Sequence, residues 1–392
     1  MTRQDVVERL DERARLRALD SLHVLDTPRE ERYDRLVRLV KELFHVPVAA
    51  VTFVDEDRLW AKASTGLPSR EMPRADSVCT YTIRQDEPTV VEDLKADDRF
   101  NTNDHLMSTG LRFYAGQPLH SGDQRVGALC LMGYEEREMS DAELRLLRAL
   151  ADWVEAELVT ENEMQRAALV QRALRPGAVV QVSGFDVAGH CLTARHVGGD
   201  FYDWFMARGS LHIFAGDVMG KGIGAALIAS SVRAVLRGAA RFISIEEAFT
   251  RTAYDLDQDL GDTSTFVTAF GARVDPETGQ GHFVDAGHGL AVVVTAEGIP
   301  RRLYSGGLPM GAMSGDRWEA KDFVLEEGDA LVVVSDGILD FFDDPSGALE
   351  ALVELQSLNL DAQGMVDRIV EFAEERGPSD DVTVVVVRRS AA

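Results

Sequence analysis

The strand pattern in the second half constrains the fold of this chain most. From about Val179 to Arg389, short apolar runs rich in β-branched residues alternate with polar turns. The predicted strands are Ser210–Val218, Phe266–Asp275, Gly281–Gly287, Leu290–Ala296, Ala330–Gly337 and Asp381–Arg389, and predicted helices lie between them at Ile223–Ala240, Ile245–Leu260, Gly347–Leu355 and Ala362–Arg376. Turns such as DPETGQ and TAEG are too short for the crossover that joins parallel strands. The pattern therefore predicts an α+β sandwich of two sheets with helices outside, rather than parallel α/β winding.

The first half predicts a separate α+β domain. Apolar residues near helical spacing indicate a helix from Pro28 to Leu43, with Thr27 as its cap and Pro28 in its first turn. Predicted strands follow at Val46–Asp55, Leu59–Thr65, Phe113–Leu119 and Arg125–Gly133. Because these strands are joined in pairs by short polar turns, we expect an antiparallel sheet flanked by helices.

A long helical segment joins the two regions. Ser140 and Glu143 have the capping-box spacing at its start, and the Arg-Pro-Gly sequence at 175–177 ends it. Its apolar stripe consists of Leu144, Leu147, Ala151, Val154 and Leu158. The helix either packs on its own domain or links the domains and pairs two copies of the chain, and the narrow stripe favours the second interpretation. We therefore divide the chain into domains at residues 1–140 and 177–392, with a linker helix or coiled coil at 141–176.

Composition excludes several classes of function. Lys and Arg number 41 against 66 Asp and Glu, which leaves a net charge of −25. This charge disfavours binding to nucleic acid or to an anionic membrane, because both require a cationic surface. The three cysteines are far apart and form no C-x-x-C motif, so neither a disulfide framework nor a thiolate zinc site is expected. The charged start lacks the apolar core of a signal peptide, and no apolar window is long enough to span a membrane, so we expect a cytoplasmic protein.

Four aspartates lie where an apolar strand meets a glycine-rich or polar turn: Asp200, Asp217, Asp336 and Asp380. Any one of them alone is an ordinary turn residue. Four in the same setting indicate that their carboxylates meet in one cleft. Oxygen ligands of this kind suit Mg²⁺ or Mn²⁺, and two such ions can activate water and polarise a phosphoryl oxygen. The sequence also lacks the G-x-S-x-G and H-E-x-x-H motifs, so it favours metal-assisted phosphoryl chemistry.

Six motifs in order make residues 170–390 resemble the SpoIIE/RsbU-type PP2C-like (PPM) serine/threonine phosphatases. They are VGGDFYD at 197–203, GDVMGKG at 216–222, DAGH at 285–288, GLPMG at 307–311, SDG at 335–337 and DDVT at 380–383. The segment QRALRP at 171–176 is also similar to the segment that opens this family's domain. The resemblance implies an αββα sandwich and hydrolysis of phosphoserine or phosphothreonine by water, without a covalent enzyme intermediate.

The resemblance also implies a role for each matching residue. Asp217 would bridge two Mn²⁺ or Mg²⁺ ions, and the backbone carbonyl of Val218 would bind one of them. Asp336 and Asp380 would hold the second ion, whereas Asp200 would bind metal directly or through water. Asp200 and Asp217 are thus the predicted catalytic residues, and the family pattern favours Asp380 over the adjacent Asp381.

Other residues of these motifs leave alternatives open. Arg195 lies five residues before Asp200, where PP2C relatives bind phosphate, although a surface salt bridge is the competing interpretation. His288 is either an acid near the site or a residue that holds a turn. Lys221 does not have P-loop spacing, so nucleotide binding is not expected there. Tyr202 and Trp204 are predicted to belong to the core.

The first region resembles a bacterial GAF domain over about residues 22–158. The resemblance rests on the segment from Leu25 to Leu67, and then on SVCTYTI, EPTVVEDLKADDRF, LRFYAGQPL and VGALCLMG in order. It implies a sensory, dimerising module for an unidentified small molecule. Cys79, within SVCTYTI, is either a buried apolar residue or a redox or ligand contact, whereas Cys130 is predicted to be core.

Together these features predict a GAF-regulated, metal-dependent phosphoprotein phosphatase that acts as a homodimer. The resemblance implies that its substrate is a phosphorylated STAS-type anti-sigma-factor antagonist in a partner-switching pathway. The alternative is a non-catalytic or latent GAF sensor or scaffold that binds its partner without turnover.

Overall fold

The chain forms two compact units, Met1–Glu163 and Met164–Ala392. The computed structural model describes residues 3–177, 184–260 and 265–390. Over these ranges, no helix combines the length and the apolar character needed to cross a membrane.

The first unit is built on one antiparallel sheet with strand order β3-β2-β1-β6-β5-β4. The strands are β1 (Val48–Val54), β2 (Arg58–Thr65), β3 (Glu71–Pro73), β4 (Thr89–Val91), β5 (Phe113–Ser121) and β6 (Gln124–Gly133). The helices are α1 (Arg3–Asp20), α2 (Glu31–Phe44), α3 (Cys79–Thr82), α4 (Asp104–Ser108) and the first part of α5 (Asp141–Leu174). The predicted hairpins β1–β2 and β5–β6 are confirmed by their antiparallel pairing.

Helix α2 begins three residues later than the sequence predicts. Its N-cap is Glu30, in extended conformation. The hydroxyl of Thr27 donates to the carbonyl of Val24 at 2.8 Å, so the prediction that Thr27 caps this helix is wrong. The physical reason is that a cap must accept a backbone N–H of the first turn, whereas the helix begins beyond Glu30 and the Thr27 oxygen accepts from the Lys62 ammonium at 2.5 Å.

The two faces of the sheet are covered differently. Helices α1, α2 and α5 pack on one face, where side chains such as Val40, Phe53 and Leu129 form the larger core. The other face is covered by α3, α4 and the segments around them, with Leu94 and Phe100 among the buried residues. Both faces of β1 are buried along its whole length, which explains why its sequence is apolar throughout instead of alternating.

Helix α5 begins with the predicted capping box, since Ser140 and Glu143 bond reciprocally. Four residues of its predicted stripe are buried in the core of the first unit: Leu147, Ala151, Val154 and Leu158. The interpretation of this stripe as a seam between two copies is therefore wrong, because these side chains already pack on their own sheet. The exposed apolar residues of this part of the helix are different ones, Leu146 and Trp153.

The second unit is a sandwich of two five-stranded antiparallel sheets, as predicted. The first sheet has the order β14-β11-β10-β9-β8 and the second β13-β12-β15-β16-β7. The strands are β7 (Phe185–Leu192), β8 (Phe201–Ala207), β9 (Ser210–Val218), β10 (Val267–Val274), β11 (Gln280–Ala286), β12 (Ala291–Val294), β13 (Pro300–Arg302), β14 (Lys321–Val324), β15 (Ala330–Val334) and β16 (Val382–Arg389). Helices α6 (Ile223–Ala239) and α7 (Ile245–Leu260) pack on the first sheet, and α8 (Pro345–Ser357) and α9 (Ala362–Arg376) on the second.

Strands β7 and β8 are absent from the sequence-based prediction, and packing explains both. Tyr202 and Trp204 of β8 are buried and stack with ring centroids 5.4 Å apart, which confirms them as core residues. A Cβ atom on Gly189 of β7 would lie 2.8 Å from the Trp204 ring. Only glycine therefore fits beneath the indole, and glycine is a weak strand signal in a sequence.

Candidate metal centre

The first sheet of the sandwich presents two aspartates at one edge. Asp200 lies immediately before β8, and Asp217 is the second-last residue of β9. These strands are antiparallel neighbours in which Phe201 pairs with Gly216. The start of β8 therefore lies beside the end of β9, so Asp200 and Asp217 lie at the same edge of the sheet.

The second sheet presents the other two aspartates in the same way. Asp336 follows β15 and opens a 3₁₀ turn at Asp336–Phe341, whereas Asp380 precedes β16. Val334 pairs with Val384 across these antiparallel strands. The end of β15 and the start of β16 therefore also share an edge.

The carboxylate of Asp381 ties the two edges together. It accepts hydrogen bonds from the backbone N–H of Ala194 at 2.8 Å and of Gly199 at 2.9 Å. Both of its oxygens are thus engaged by the chain just before β8. Of the two adjacent aspartates, Asp381 therefore binds backbone amides. The carboxylate of Asp380 does not take part in these bonds.

Gly199 allows the backbone to approach Asp217 closely. A Cβ atom at this position would lie 2.8 Å from the carbonyl oxygen of Val218 and 3.2 Å from Oδ1 of Asp217. The two oxygens therefore border the same small space beside the residue that precedes Asp200. This placement explains the glycine pair of the VGGD motif in physical terms.

The carboxyl groups disfavour each other's ionisation. Burial and the charge of Asp217 raise the pKa of Asp200 well above its ordinary value. Burial and the charge of Asp336 raise the pKa of Asp217 to about 7. Loss of hydration and the charge of Asp380 raise the pKa of Asp336. Asp200, Asp217 and Asp336 are thus each perturbed by a neighbouring aspartate, and Asp380 acts on Asp336, so the four predicted residues lie in one electrostatically coupled cluster.

The donor set fits a hard divalent cation. Asp200 is 4% exposed, and its Oδ2 has no hydrogen-bond partner among the described residues. No group of three or more His, Cys, Asp or Glu side chains in the described ranges is arranged to hold a metal ion by itself. Mg²⁺ and Mn²⁺ commonly take only one or two carboxylates and complete their shells with water, so carboxylates with a carbonyl such as that of Val218 meet this requirement.

Two basic residues border the cluster. The Lys221 ammonium lies 2.8 Å from Oδ2 of Asp380 and donates to the carbonyl of Ser379 at 3.2 Å. Arg195 is exposed, and its charge acts on Lys221. Within the described residues Arg195 forms no ion pair with a carboxylate, unlike the surface salt bridge considered from the sequence. Lys221 thus places a positive charge at Asp380, and Arg195 adds a second one near Lys221, which suits binding of a phosphate group.

Two further residues of the motifs serve the scaffold. The Asp285 carboxylate accepts from the backbone N–H groups of His288 and Gly289, which fixes the turn after β11. Asp203 is fully buried, and its carboxylate pairs with Arg233 and Arg237 of α6.

The sequence did not identify Gln171 as a residue that contacts the site. From the end of α5, its side-chain N–H donates to the carbonyl of Gly198 at 2.8 Å, and its Oε1 accepts the Gly198 N–H at 3.2 Å. This two-way contact lies two residues before Asp200. Its only sequence signal was the QRALRP segment, in which a single polar residue does not reveal its partner.

Comparison with known proteins agrees with this geometry. Residues 207–390 match the family model of stage II sporulation protein E (SpoIIE), and residues 28–158 match that of the GAF domain. The chain therefore combines a GAF domain with a SpoIIE-type domain. The SiaA PP2C domain of Pseudomonas aeruginosa superposes with a TM-score of 0.51 at 21% identity, over 59% of this chain and 98% of that domain, which establishes the PP2C-like fold of the SpoIIE-type domain.

Two curated relatives are similar in sequence. The phosphoserine phosphatase RsbU of Bacillus subtilis strain 168 is 28% identical over 240 residues, which cover 58% of this chain and 70% of RsbU. A cyclic di-GMP phosphodiesterase of Pseudomonas aeruginosa is 31% identical over 153 residues, which cover 38% of this chain. The chain spans only 26% of the length of that phosphodiesterase.

Proposed function

We propose that this protein is a metal-dependent serine/threonine phosphoprotein phosphatase. The observation that carries the proposal is the coupled cluster of Asp200, Asp217, Asp336 and Asp380, which two sheets of a SpoIIE-type domain bring to one edge. The similarity to a phosphoserine phosphatase favours this activity over other phosphoryl chemistry.

Each residue has a distinct part in the proposed reaction. Asp217, with the carbonyl of Val218 and with Asp200, would hold one divalent ion, and Asp336 and Asp380 would join Asp217 in holding a second. When bound, the ions would lower the pKa of water and stabilise charge on the phosphoryl oxygens. Asp381 keeps the two sheet edges together, and Arg195 and Lys221 at the rim would orient the anionic substrate.

The direct test is phosphate release from a phosphoserine protein, with Mn²⁺ or Mg²⁺ added and then removed with EDTA. Metal-dependent release supports the phosphatase. Binding of the phosphoprotein without release, at saturating metal, would instead favour the non-catalytic scaffold.

The proposed substrate is a phosphorylated STAS-type anti-sigma-factor antagonist. The net charge of −25 favours a protein partner over a polyanion. Release of phosphate from a phosphorylated STAS protein should exceed release from an unrelated phosphoserine protein at equal concentration. Equal rates on both would contradict this assignment.

We further propose that the GAF domain controls the phosphatase through α5. The Gln171–Gly198 contact connects the end of this helix to the segment before β8 that contains Asp200. Replacing Gln171 with Ala releases the backbone two residues before Asp200, so kcat should fall about fivefold or more. The two lost hydrogen bonds, worth about 1 kcal/mol each, should lower the melting temperature by only several degrees. Steady-state kinetics and thermal unfolding check this, with Arg172→Ala on the exposed face of the same helix as the control. An unchanged kcat for Gln171→Ala would contradict the proposed role.

We also propose that the chain is a homodimer, joined through an apolar face of the first unit. Arg32 of α2 pairs with Glu157 of α5 at 3.0 Å, so the two helices lie side by side. Both helices expose apolar side chains, Leu39 and Leu43 on α2 and Leu146 and Trp153 on α5, and we assign these four residues to the interface face. Exposed apolar surface is typical of protein interfaces.

A charge on this face should separate the subunits. Trp153 is 51% exposed, so Trp153→Asp should leave the fold intact while it buries a carboxylate in the interface. Light scattering after size exclusion should report the mass of one chain for this variant and of two for the unaltered protein. Tyr134→Asp, at an equally exposed aromatic residue outside the face, should remain dimeric; dissociation of both variants alike would exclude this face as the interface.

A further inference from the structure

The second face of the GAF sheet contains a polar cluster within an otherwise apolar core. Its members are Thr52 of β1, Cys79 and Thr82 of α3, Tyr114 of β5 and Cys130 of β6. All five side chains are buried, and both thiols are free. Buried polar groups are costly unless they bond to one another, so the cluster requires a specific arrangement.

The hydrogen bonds converge on the sulfur of Cys79. The hydroxyls of Thr52 and Tyr114 both lie 3.4 Å from this sulfur in donor geometry. Cys130 of β6 lies on the same face of the sheet, since it is two residues from Ala128, which pairs with Thr52, and its thiol donates to the carbonyl of Ala50 at 3.5 Å. Its interaction with the Cys79 thiol is the main cause that lowers the pKa of Cys79 and raises that of Cys130. The Thr52 hydroxyl also lies 3.2 Å from the carbonyl of Ala128, so its one hydrogen has two acceptors. Hydroxyl donors at the Cys79 sulfur stabilise a thiolate even though burial opposes it.

The position of Tyr114 depends on a glycine in the same strand. A Cβ atom on Gly116 would lie 2.1 Å from the Tyr114 hydroxyl oxygen, so the Tyr114 ring occupies the space that any other side chain at position 116 would need. Thr82 shares a hydrogen bond of 2.7 Å with the same hydroxyl, which can orient the phenolic hydrogen toward Cys79. The position of the Tyr114 hydroxyl beside Cys79 therefore depends on both Gly116 and Thr82.

A cleft lies beside α3, the helix that contains Cys79. This cleft has a volume of about 590 Å³, and Thr80, Ile83 and three arginines, Arg15, Arg74 and Arg125, are among its lining residues. Thr80, which lines this cleft, directly follows Cys79 in the chain. Helix α3 contains only four residues, and a small opening of so short an element would admit a molecule of the size of hydrogen peroxide.

We propose that Cys79 and Cys130 are an oxidisable thiol pair, which a hydroperoxide converts into a disulfide within the GAF domain. The Cys79 thiolate attacks one peroxide oxygen, the O–O bond breaks, and a sulfenic acid and an alcohol or water form. The Cys130 sulfur then displaces the sulfenic hydroxyl as water, and its proton leaves with that water. In total, two thiols and one hydroperoxide give a disulfide, one alcohol or water, and one water.

The chain supplies its own control. Cys191 of β7 is also buried and free, but burial raises its pKa to about 12 and no second cysteine lies in its core. Met313 is 60% exposed, so its conversion to sulfoxide measures the dose of oxidant that each sample has received.

The experiment treats the full chain with hydrogen peroxide, alkylates the remaining thiols after denaturation, and analyses non-reduced peptides by mass spectrometry. We expect linked peptides that contain Cys79 and Cys130, reversed by dithiothreitol, while Cys191 is alkylated. If Cys79 and Cys130 are both alkylated at a dose that oxidises Met313, the proposal is wrong. It is also wrong if Cys191 is oxidised as fast as the pair.

Two variants separate the chemistry from the packing. Cys130→Ser should abolish the link and leave a sulfenic acid on Cys79 that dimedone captures, whereas Cys191→Ser should form the link unchanged. Tyr114→Phe keeps the ring but removes one donor, so formation of the link should slow about tenfold. A rate unchanged in Tyr114→Phe would show that the hydrogen bonds do not activate Cys79 and would overturn the proposed mechanism.

Discussion

Replacing Asp217 with Asn should lower metal-dependent phosphate release by at least about 100-fold, because the change removes the carboxylate that would contact both ions. The side chain keeps its shape, so the loss reflects charge and not packing. Initial rates on a phosphoserine protein at saturating Mn²⁺ measure the effect. Asp343→Asn, an exposed aspartate after the 3₁₀ turn, removes the same charge outside the cluster and should retain activity.

Activity of Asp217→Asn within about threefold of the unaltered protein would contradict the central role of this residue. Comparable losses in Asp217→Asn and Asp343→Asn would point instead to a general effect of charge. Calorimetric titration with Mn²⁺ adds a measure of ion binding that does not depend on turnover.

The same substitution should stabilise the metal-free protein. Burial and the charge of Asp336 raise the pKa of Asp217 to about 7 from an ordinary value of 3.8. One pKa unit corresponds to about 1.4 kcal/mol, so ionisation of Asp217 costs the folded state on the order of a few kcal/mol at pH 8. Asn carries no charge, and Asp217→Asn should therefore unfold at a higher temperature, by about 5 °C or more.

The pH dependence of this difference has a definite sign. A carboxyl group whose folded-state pKa is raised contributes stability that is fully present below pH 3.8 and is lost as the pH rises through about 7. The advantage of Asp217→Asn should therefore be small at pH 4, increase between pH 4 and pH 7, and remain constant above pH 8.

Thermal unfolding in EDTA at several pH values measures this difference, and Asp343→Asn is again the matched control. Adding Mn²⁺ should reverse the order of stability, because the ion binds the unaltered cluster and stabilises its folded state. A metal-free Asp217→Asn that is less stable than the unaltered protein at pH 8 would contradict the crowded arrangement of carboxylates.

Asp217→Asn is thus predicted to lower the activity and to raise the stability of the metal-free protein, a combination that is typical of a functional site. Burial and mutual repulsion of Asp200, Asp217 and Asp336 oppose their ionisation in the metal-free fold, and a bound ion would compensate for this repulsion. Gly199 and Asp381 have no direct part in the chemistry, yet they hold the sheet edges at the separation that the cluster requires.

Much of the fold could be predicted because it depends on local pattern. Helix α9 has the predicted bounds, and β9 does as well, since capping residues and apolar runs are properties of short segments. Strand β8 could not be predicted in this way, because the buried Asp203 interrupts its apolar run. The arginines that neutralise this aspartate are about 30 residues away in α6.

By its own local chemistry, the sequence determined many of the helices and strands, such as α9 and β9, and the position of four aspartates at strand boundaries. Only the tertiary structure decided which groups are neighbours: that Asp381 binds backbone amides while Asp380 faces Lys221, that the stripe of α5 is buried in its own unit, and that Cys79 and Cys130 share one buried core. The physical reason is the distance along the chain over which each interaction acts. Propensity and capping act within a few residues, whereas the contacts that perturb a carboxyl or a thiol join segments far apart in the chain, and no local pattern encodes that distance.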